Sequence, residues 1–233
     1  MKRKSILMLA CCTLLGFAAC QQAHAASLTW SASSLGNGDL GTSSLLAPAP
    51  GITSIASGNG SNLGTKTVGG IKGLGVVGGT VNNEIDVARE SVTFTFGAPT
   101  TLSSLTLGAL FQPGQYGDTV FEKAMVTING TSSYYLQVTG NTTASWTGSG
   151  SVLNLSPALQ PLGGAFIINN PFSVAVNTLR FSAVSVGNET YKDSDFTVVS
   201  VQGCTKSVPE PSSAVASLGI LLAGAVLGLK RKA

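Results

Sequence analysis

Most of the side chains in this sequence that could do chemistry are carboxylates, and several sit in two short runs. Asn82, Asn83, Glu84 and Asp86 lie in "NNEID"; Asn188, Glu189, Asp193 and Asp195 lie in "NETYKDSD". In extended chain, side chains two apart share a face, which groups Glu84 with Asp86 and Asp193 with Asp195. Calcium takes about six to eight hard oxygen ligands, so Glu84, Asp86, Asp193 and Asp195 form a candidate structural calcium set; no other cofactor is expected. The competing role for these residues is as solvated turn groups. Paired carboxylates could also run glycoside hydrolysis, a reaction that needs no histidine. Its candidates are Glu84, Glu90, Glu122 and Glu189, although no spacing sets any two of them at the required ~5–9 Å.

A sugar would need exposed aromatic faces beside polar groups. Trp30, Tyr116, Tyr134, Tyr135 and Trp146 are available. Tyr134 and Tyr135 are consecutive, so in a strand they point to opposite faces. Trp146, within "NTTASWTGSGS", reads as loop-borne and is the first ligand candidate, with Tyr134 and Tyr135 beside it. Core or edge packing is the usual fate of such rings. "GLGVVG" (Gly73, Gly75, Gly78) has dinucleotide-loop spacing, but a turn and a strand follow where that motif needs a helix. Glycine-punctuated strand packing is the better reading.

Several chemistries are excluded by count. The only histidine is His24, at the end of an apolar leader, so the remaining chain has no histidine for a triad, a Cys-His dyad or an imidazole metal site. Cys11, Cys12 and Cys20 also belong to that leader, leaving Cys204, expected as a free, half-buried thiol. The net charge of +3 comes from the two ends. Between residues 26 and 207 nine acids face seven bases, a net −2 with no basic run. Nucleic acid is therefore not an expected partner.

The elements that must position these groups read as strands. In "ESVTFTFG", Val92, Phe94 and Phe96 alternate with Thr93 and Thr95. "TTLSSLTLGALF" follows an expected Gly-Ala-Pro turn, with Leu105 and Leu107 alternating against Thr106. "EKAMVTING" and "SSYYLQVTG" flank Asn129-Gly130, a hairpin signal of type I′. "SVLNLS", "GAFIINN", "NTLRFSAVSV" and "DFTVVSVQG" continue the pattern. The expected fold is all-β, a single antiparallel β-sandwich of jelly-roll type with ten or so strands.

The two ends differ from this domain. "MKRK" followed by an uncharged apolar run and Ala23-His24-Ala25 reads as a signal peptide, residues 1–25, cleaved after Ala25. Phe17-Ala18-Ala19-Cys20 resembles the lipobox of bacterial lipoproteins, an alternative within the same stretch. Residues 214–229 carry no charge. At ~1.5 Å per residue they make a ~24 Å helix, which reaches a marginal membrane span once neighbouring serines are added and the flanking lysines snorkel. Lys230, Arg231 and Lys232 then fall on the cytoplasmic side. The expected order is signal peptide 1–25, exported domain 26–203, linker 204–213, transmembrane helix 214–229 and basic tail 230–233.

Val208-Pro209-Glu210-Pro211, the apolar run and the terminal basic residues together resemble the PEP-CTERM sorting signal of Gram-negative bacteria. The order "EID…ESVTFTF…PTTLSSLTLG", closed by Asp195-Phe196 through Val201, is similar to the domains such signals carry. The resemblance implies a β-sandwich exported across the inner membrane. It implies recognition of Pro-Glu-Pro by exosortase, a membrane protease/transpeptidase, and a destination at the cell surface or in the extracellular matrix. Such proteins commonly accompany exopolysaccharide. The expected role is structural or adhesive and non-enzymatic. A specific carbohydrate-binding module and a secreted glycan-active hydrolase are the alternatives.

Overall fold

The computed structural model describes residues 26–42, 49–79, 81–87, 90–155, 164–186 and 194–205. The sorting residues Val208, Pro209, Glu210, Pro211, Lys230, Arg231 and Lys232 lie outside them. So do the cleavage-site residues Ala23 and Ala25, and also Glu189 and Asp193. Among the described residues no helix is long and apolar enough to cross a membrane.

The described chain is all-β. Its strands are β1 Ala26–Ser31, β2 Gly38–Asp39, β3 Ile52–Ser57, β4 Leu63–Val68, β5 Ile71–Val76, β6 Ile85–Asp86 and β7 Val92–Leu110. Then come β8 Lys123–Ile128, β9 Ser132–Gly140, β10 Thr143–Trp146, β11 Ser151–Asn154, β12 Gly164–Asn169, β13 Val176–Ala183 and β14 Asp195–Thr205. Every strand pairing is antiparallel. β14 runs through Cys204 and Thr205, two residues past the expected end of the domain, and Cys204 is exposed rather than half-buried. The cause is alternation: Gly203 and Thr205 point inward on this strand, so Cys204 points out.

β7 organises the rest. Val92, Phe94 and Phe96 are buried and Thr93 and Thr95 half-buried, as the alternation predicts. The expected Gly-Ala-Pro turn is not a turn, because strand continues through all 19 residues. Pairing with β13 jumps from Thr95↔Thr178 to Thr100↔Val176, so residues 96–99 bulge. A proline, with no N–H to give, is tolerated at such a bulge. Before it, β7 lies between β3 and β13; after it, between β12 and β14. The first segment continues outward through β13, β8, β9 and β10, the second through β14, β5, β4 and β2. Thr106, expected to face away from the core, is buried as well, and Ser200 hydrogen-bonds its hydroxyl across β14 at 2.9 Å.

Phe94 links the two strand groups. It meets Trp30 of β1 edge-on at 4.8 Å and Phe181 of β13 at 5.7 Å, and all three rings are buried. β1 lies along the end of β14, with Ala26 opposite Thr205 and Trp30 opposite Val201. The Asn129-Gly130 hairpin forms with both residues at positive φ (53° and 70°), and Thr131 N–H closes the turn onto the Ile128 carbonyl. The "GLGVVG" glycines serve packing. A Cβ on Gly73 would lie 2.0 Å from the Thr197 hydroxyl oxygen, and one on Gly75 would lie 2.3 Å from the Asn83 carbonyl oxygen.

Candidate functional site

At the far end of β7, the backbone turns toward an open cavity. Ala109 takes a positive φ of 54° where pairing with β12 skips from Gly108↔Ala165 to Leu110↔Gly164. This bulge delivers Phe111 to the base of a loop spanning residues 111–122. Phe111 and Glu122 close that base: Glu122 N–H donates to the Phe111 carbonyl, and Phe111 N–H donates to Glu122 Oε2. Within the loop, Gly114 N–H donates to the Asp118 carbonyl and Asp118 N–H to the Gln115 carbonyl. The cavity beside it has a volume of about 740 Å³, within the range of small-molecule sites. Its chemically informative walls are Lys66 of β4, Glu84, Asp195 at the start of β14, and Phe111, Tyr116 and Asp118 of the loop.

Four carboxyl groups converge here. Glu84, Asp118, Asp195 and Glu122 are all buried, so Glu84 and Asp195 do not take the competing role of solvated turn groups. Burial pushes the Asp195 carboxyl far up, and its hydrogen bond to Glu84 raises it further. Burial likewise holds the Glu122 carboxyl well above the usual range, reinforced by the charges of Asp195 and Asp118. Glu122 Oε1 meets no hydrogen-bond partner among the described residues. The countercharge is Lys66, whose ammonium pairs with Glu84 Oε1 at 3.0 Å. Glu84 reaches this place because Gly75 lets the Asn83–Glu84 backbone cross directly over β5.

Tyr116 stands at the cavity wall and is 65% exposed. Its ring packs against Phe111 at a centroid distance of 4.6 Å. Its backbone lies in the left-handed region at φ 49°, between Gly114 and Gly117, which take φ values of 87° and 99°. A bulky residue in that conformation costs about 1–3 kcal/mol, and such strain concentrates at functional sites.

The candidates named from sequence are divided differently by the fold. Glu84 and Asp195 come together, but Asp86 turns to Glu90, whose carboxylate accepts the Asp86 N–H at 3.1 Å. Strand β6 is only two residues long, too short to keep Glu84 and Asp86 on a common site. Among the described residues no three acidic, histidine or cysteine side chains are disposed to hold a metal ion. Of the hydrolytic candidates, Glu84 and Glu122 are brought to the same site, with Glu84 hydrogen-bonded to Asp195, Glu90 sits with Asp86, and Glu189 lies outside the described residues.

Trp146 is not loop-borne. It ends β10, half-buried, stacked at 5.8 Å on Tyr134 and 5.8 Å from Phe172, with its indole N–H donated to the Pro171 carbonyl. Its polar handle and both neighbouring rings are already engaged. Tyr135 points to the other face, under the Lys123 ammonium at 4.7 Å. The chain matches no known protein family, curated protein or solved structure.

Lys66, Phe111 and Asp118 had no motif to announce them. The usable signal was "PGQYGD", where one aromatic stands among turn-forming residues between two apolar runs.

The raised carboxyls make stability depend on pH. Burial lifts Glu90 to about 7 from an ordinary 4.5, and Glu122 and Asp195 are raised as well. The folded chain therefore binds protons more tightly than the unfolded chain. This contribution is complete below about pH 4.5 and is lost as pH rises through 7 and beyond. The melting temperature is expected to be higher at pH 5 than at pH 8 by roughly 2–8 °C, equivalent to ~1–2 kcal/mol. Glu122→Gln, which carries no proton to lose, should flatten the profile. Calorimetry across that range checks both, and a melt that rises with pH would contradict the assignment.

Proposed function

We propose that this chain is an exported surface protein, structural or adhesive within an exopolysaccharide matrix, whose β domain contacts saccharide through the cavity beside Tyr116. The observation that carries the binding role is the exposed Tyr116 ring, held by Phe111 at the edge of a cavity lined with hydrogen-bonding carboxyl groups. Pyranose C–H faces stack on such rings while hydroxyls meet carboxyls and an ammonium. A carbohydrate-binding module thus becomes the favoured form of the adhesive role, with the contact moved from Trp146 to Tyr116. Turnover is not part of the proposal, because the nearest carboxyls are hydrogen-bonded to each other.

The domain is, in this reading, a jelly-roll-like sandwich. The bend in β7 and the Trp30–Phe94 contact between its two strand groups support that arrangement. A signal peptide ending at Ala25 exports it, and a transmembrane helix at 214–229 holds it in the membrane at least transiently. An exosortase-like enzyme processes the chain near Pro209-Glu210-Pro211, before it reaches the surface or the matrix. The terminal sequence supports this sorting.

Expression of the full chain in a host with and without exosortase tests both parts. The C-terminal peptide should persist only where the enzyme is missing, and Pro209→Ala should mimic that loss. Cells bearing the protein should retain the host's exopolysaccharide, with Tyr116→Ala abolishing retention and Trp146→Ala sparing it. Equal persistence of the peptide would sink the sorting claim, and retention indifferent to Tyr116 would sink the site.

A further inference from the structure

The charge arrangement of the cavity bears on which saccharide it admits. Its countercharge, Lys66, is already taken by Glu84 at 3.0 Å. Asp118 and Asp195 share the wall with them, and Glu122 lies behind, within the field of Asp195 and Asp118. Among the described residues lining the cavity there is no second lysine or arginine. Among the described lining residues, an incoming uronate or sulfate would meet acidic oxygens with no cation left to pair it. It would lose hydration for like-charge repulsion, which strongly disfavours a wrong partner.

We propose that the cavity is selective for uncharged saccharides, stacking one sugar face on Tyr116 and hydrogen-bonding hydroxyls through Glu84, Asp118 and Asp195, and that it rejects anionic sugars. This rests on the saccharide-binding reading above. Hydroxyls suit these groups because each can both donate and accept, whereas a carboxylate can only accept. Burial raises the Asp195 carboxyl, which favours its hydrogen-donating form in the wall beside the acceptor oxygens of Asp118. The Lys66 ammonium in the wall repels an incoming amine, as Asp118 repels an incoming carboxylate. A divalent cation fits less well, since no three of these carboxyls surround a common point.

The test uses the full-length chain in mild detergent, titrated calorimetrically at low salt and pH 6. The probes are neutral manno-, gluco- and galacto-oligosaccharides, oligouronates, and cationic chitosan oligomers. One or more neutral probes should bind saturably, with affinity falling at least about tenfold in Tyr116→Ala, while uronates stay unbound. Asp118→Asn should then raise uronate affinity. Tyr116 is exposed, so its variant should retain the wild-type melt, and Tyr116→Phe should keep the stacking. Tyr116-dependent binding of uronates, or of chitosan alone, would overturn the selectivity and leave the saccharide site standing. No binding by any probe would overturn the site and the selectivity together.

Discussion

Phe94→Ala is expected to destabilise the domain by about 3–5 kcal/mol, the usual cost of truncating a fully buried aromatic. Phe94 is 0% exposed and stands edge-on to both Trp30 and Phe181. Removing it vacates the contact between the strand groups on either side of the β7 bend, where two large rings cannot both move in to fill the gap. In a domain of this size the melting temperature should fall by roughly 6–20 °C. Phe94→Leu keeps much of the volume and should cost under about 2 kcal/mol. Urea unfolding of the three chains measures the difference. A loss below about 1 kcal/mol for the alanine variant would show that the core collapses around the gap and that this ring is not central.

Gly75→Ala should be among the most damaging single-methyl changes in the domain. The new Cβ would lie 2.3 Å from the Asn83 carbonyl oxygen and 2.5 Å from the Glu84 Cα. Both are backbone atoms, which cannot swing aside as a flexible side chain would. Leu74 beside it is fully buried and Val76 hydrogen-bonds the Glu84 carbonyl, so β5 is pinned and the Asn83–Glu84 segment must give way. Overpacking of this kind costs about 1–3 kcal/mol, sometimes more. The displacement also pulls Glu84 from Lys66 and Asp195. Stability and the pH profile should therefore change together. Gly78→Ala is the control: its φ of +107° strains a side chain, but nothing lies within 4 Å. It should cost stability while leaving the pH profile intact. If Gly75→Ala kept the wild-type profile, Glu84 would not depend on the crossing at Gly75.

What could be read from the sequence follows from the range of each signal. Alternation is local, so "VTFTF" and "DFTVVSV" declared their strands and their inward residues. Asn129-Gly130 declared its hairpin for the same reason. The bulge at residues 96–99 was misread as a turn, because whether Gly-Ala-Pro reverses a chain or bends a strand depends on partners far away, here β3 and β13. Trp146 looked loop-borne since its neighbours are small and polar, yet Tyr134 and Phe172 supply its packing from other strands. The site suffered most from this limit. Glu84, Asp118, Glu122 and Asp195 span more than a hundred positions, and only the sheet joins them. Burial of charged residues is the least local property of all, which is why a solvated turn role competed for Glu84 and Asp195.

The pairing of β1 with β14 sets a clock on the maturation of this chain. Ala26 finds its partner in Thr205, so the first strand has no neighbour until the last has been made. At about 5–20 residues per second, synthesis leaves β1 waiting roughly 10–35 s. The second segment of β7 and β5 pair earlier with β12 and β4, but their other edges, like β6, wait for the arrival of β14. Contacts this distant in sequence also close slowly once available. Under the proposed export, a chain threaded through a translocation channel before it folds gains from such a delay. The strand that completes the sheet is also the last described strand before Pro209-Glu210-Pro211, so the fold is finished only once nearly the whole chain has been made.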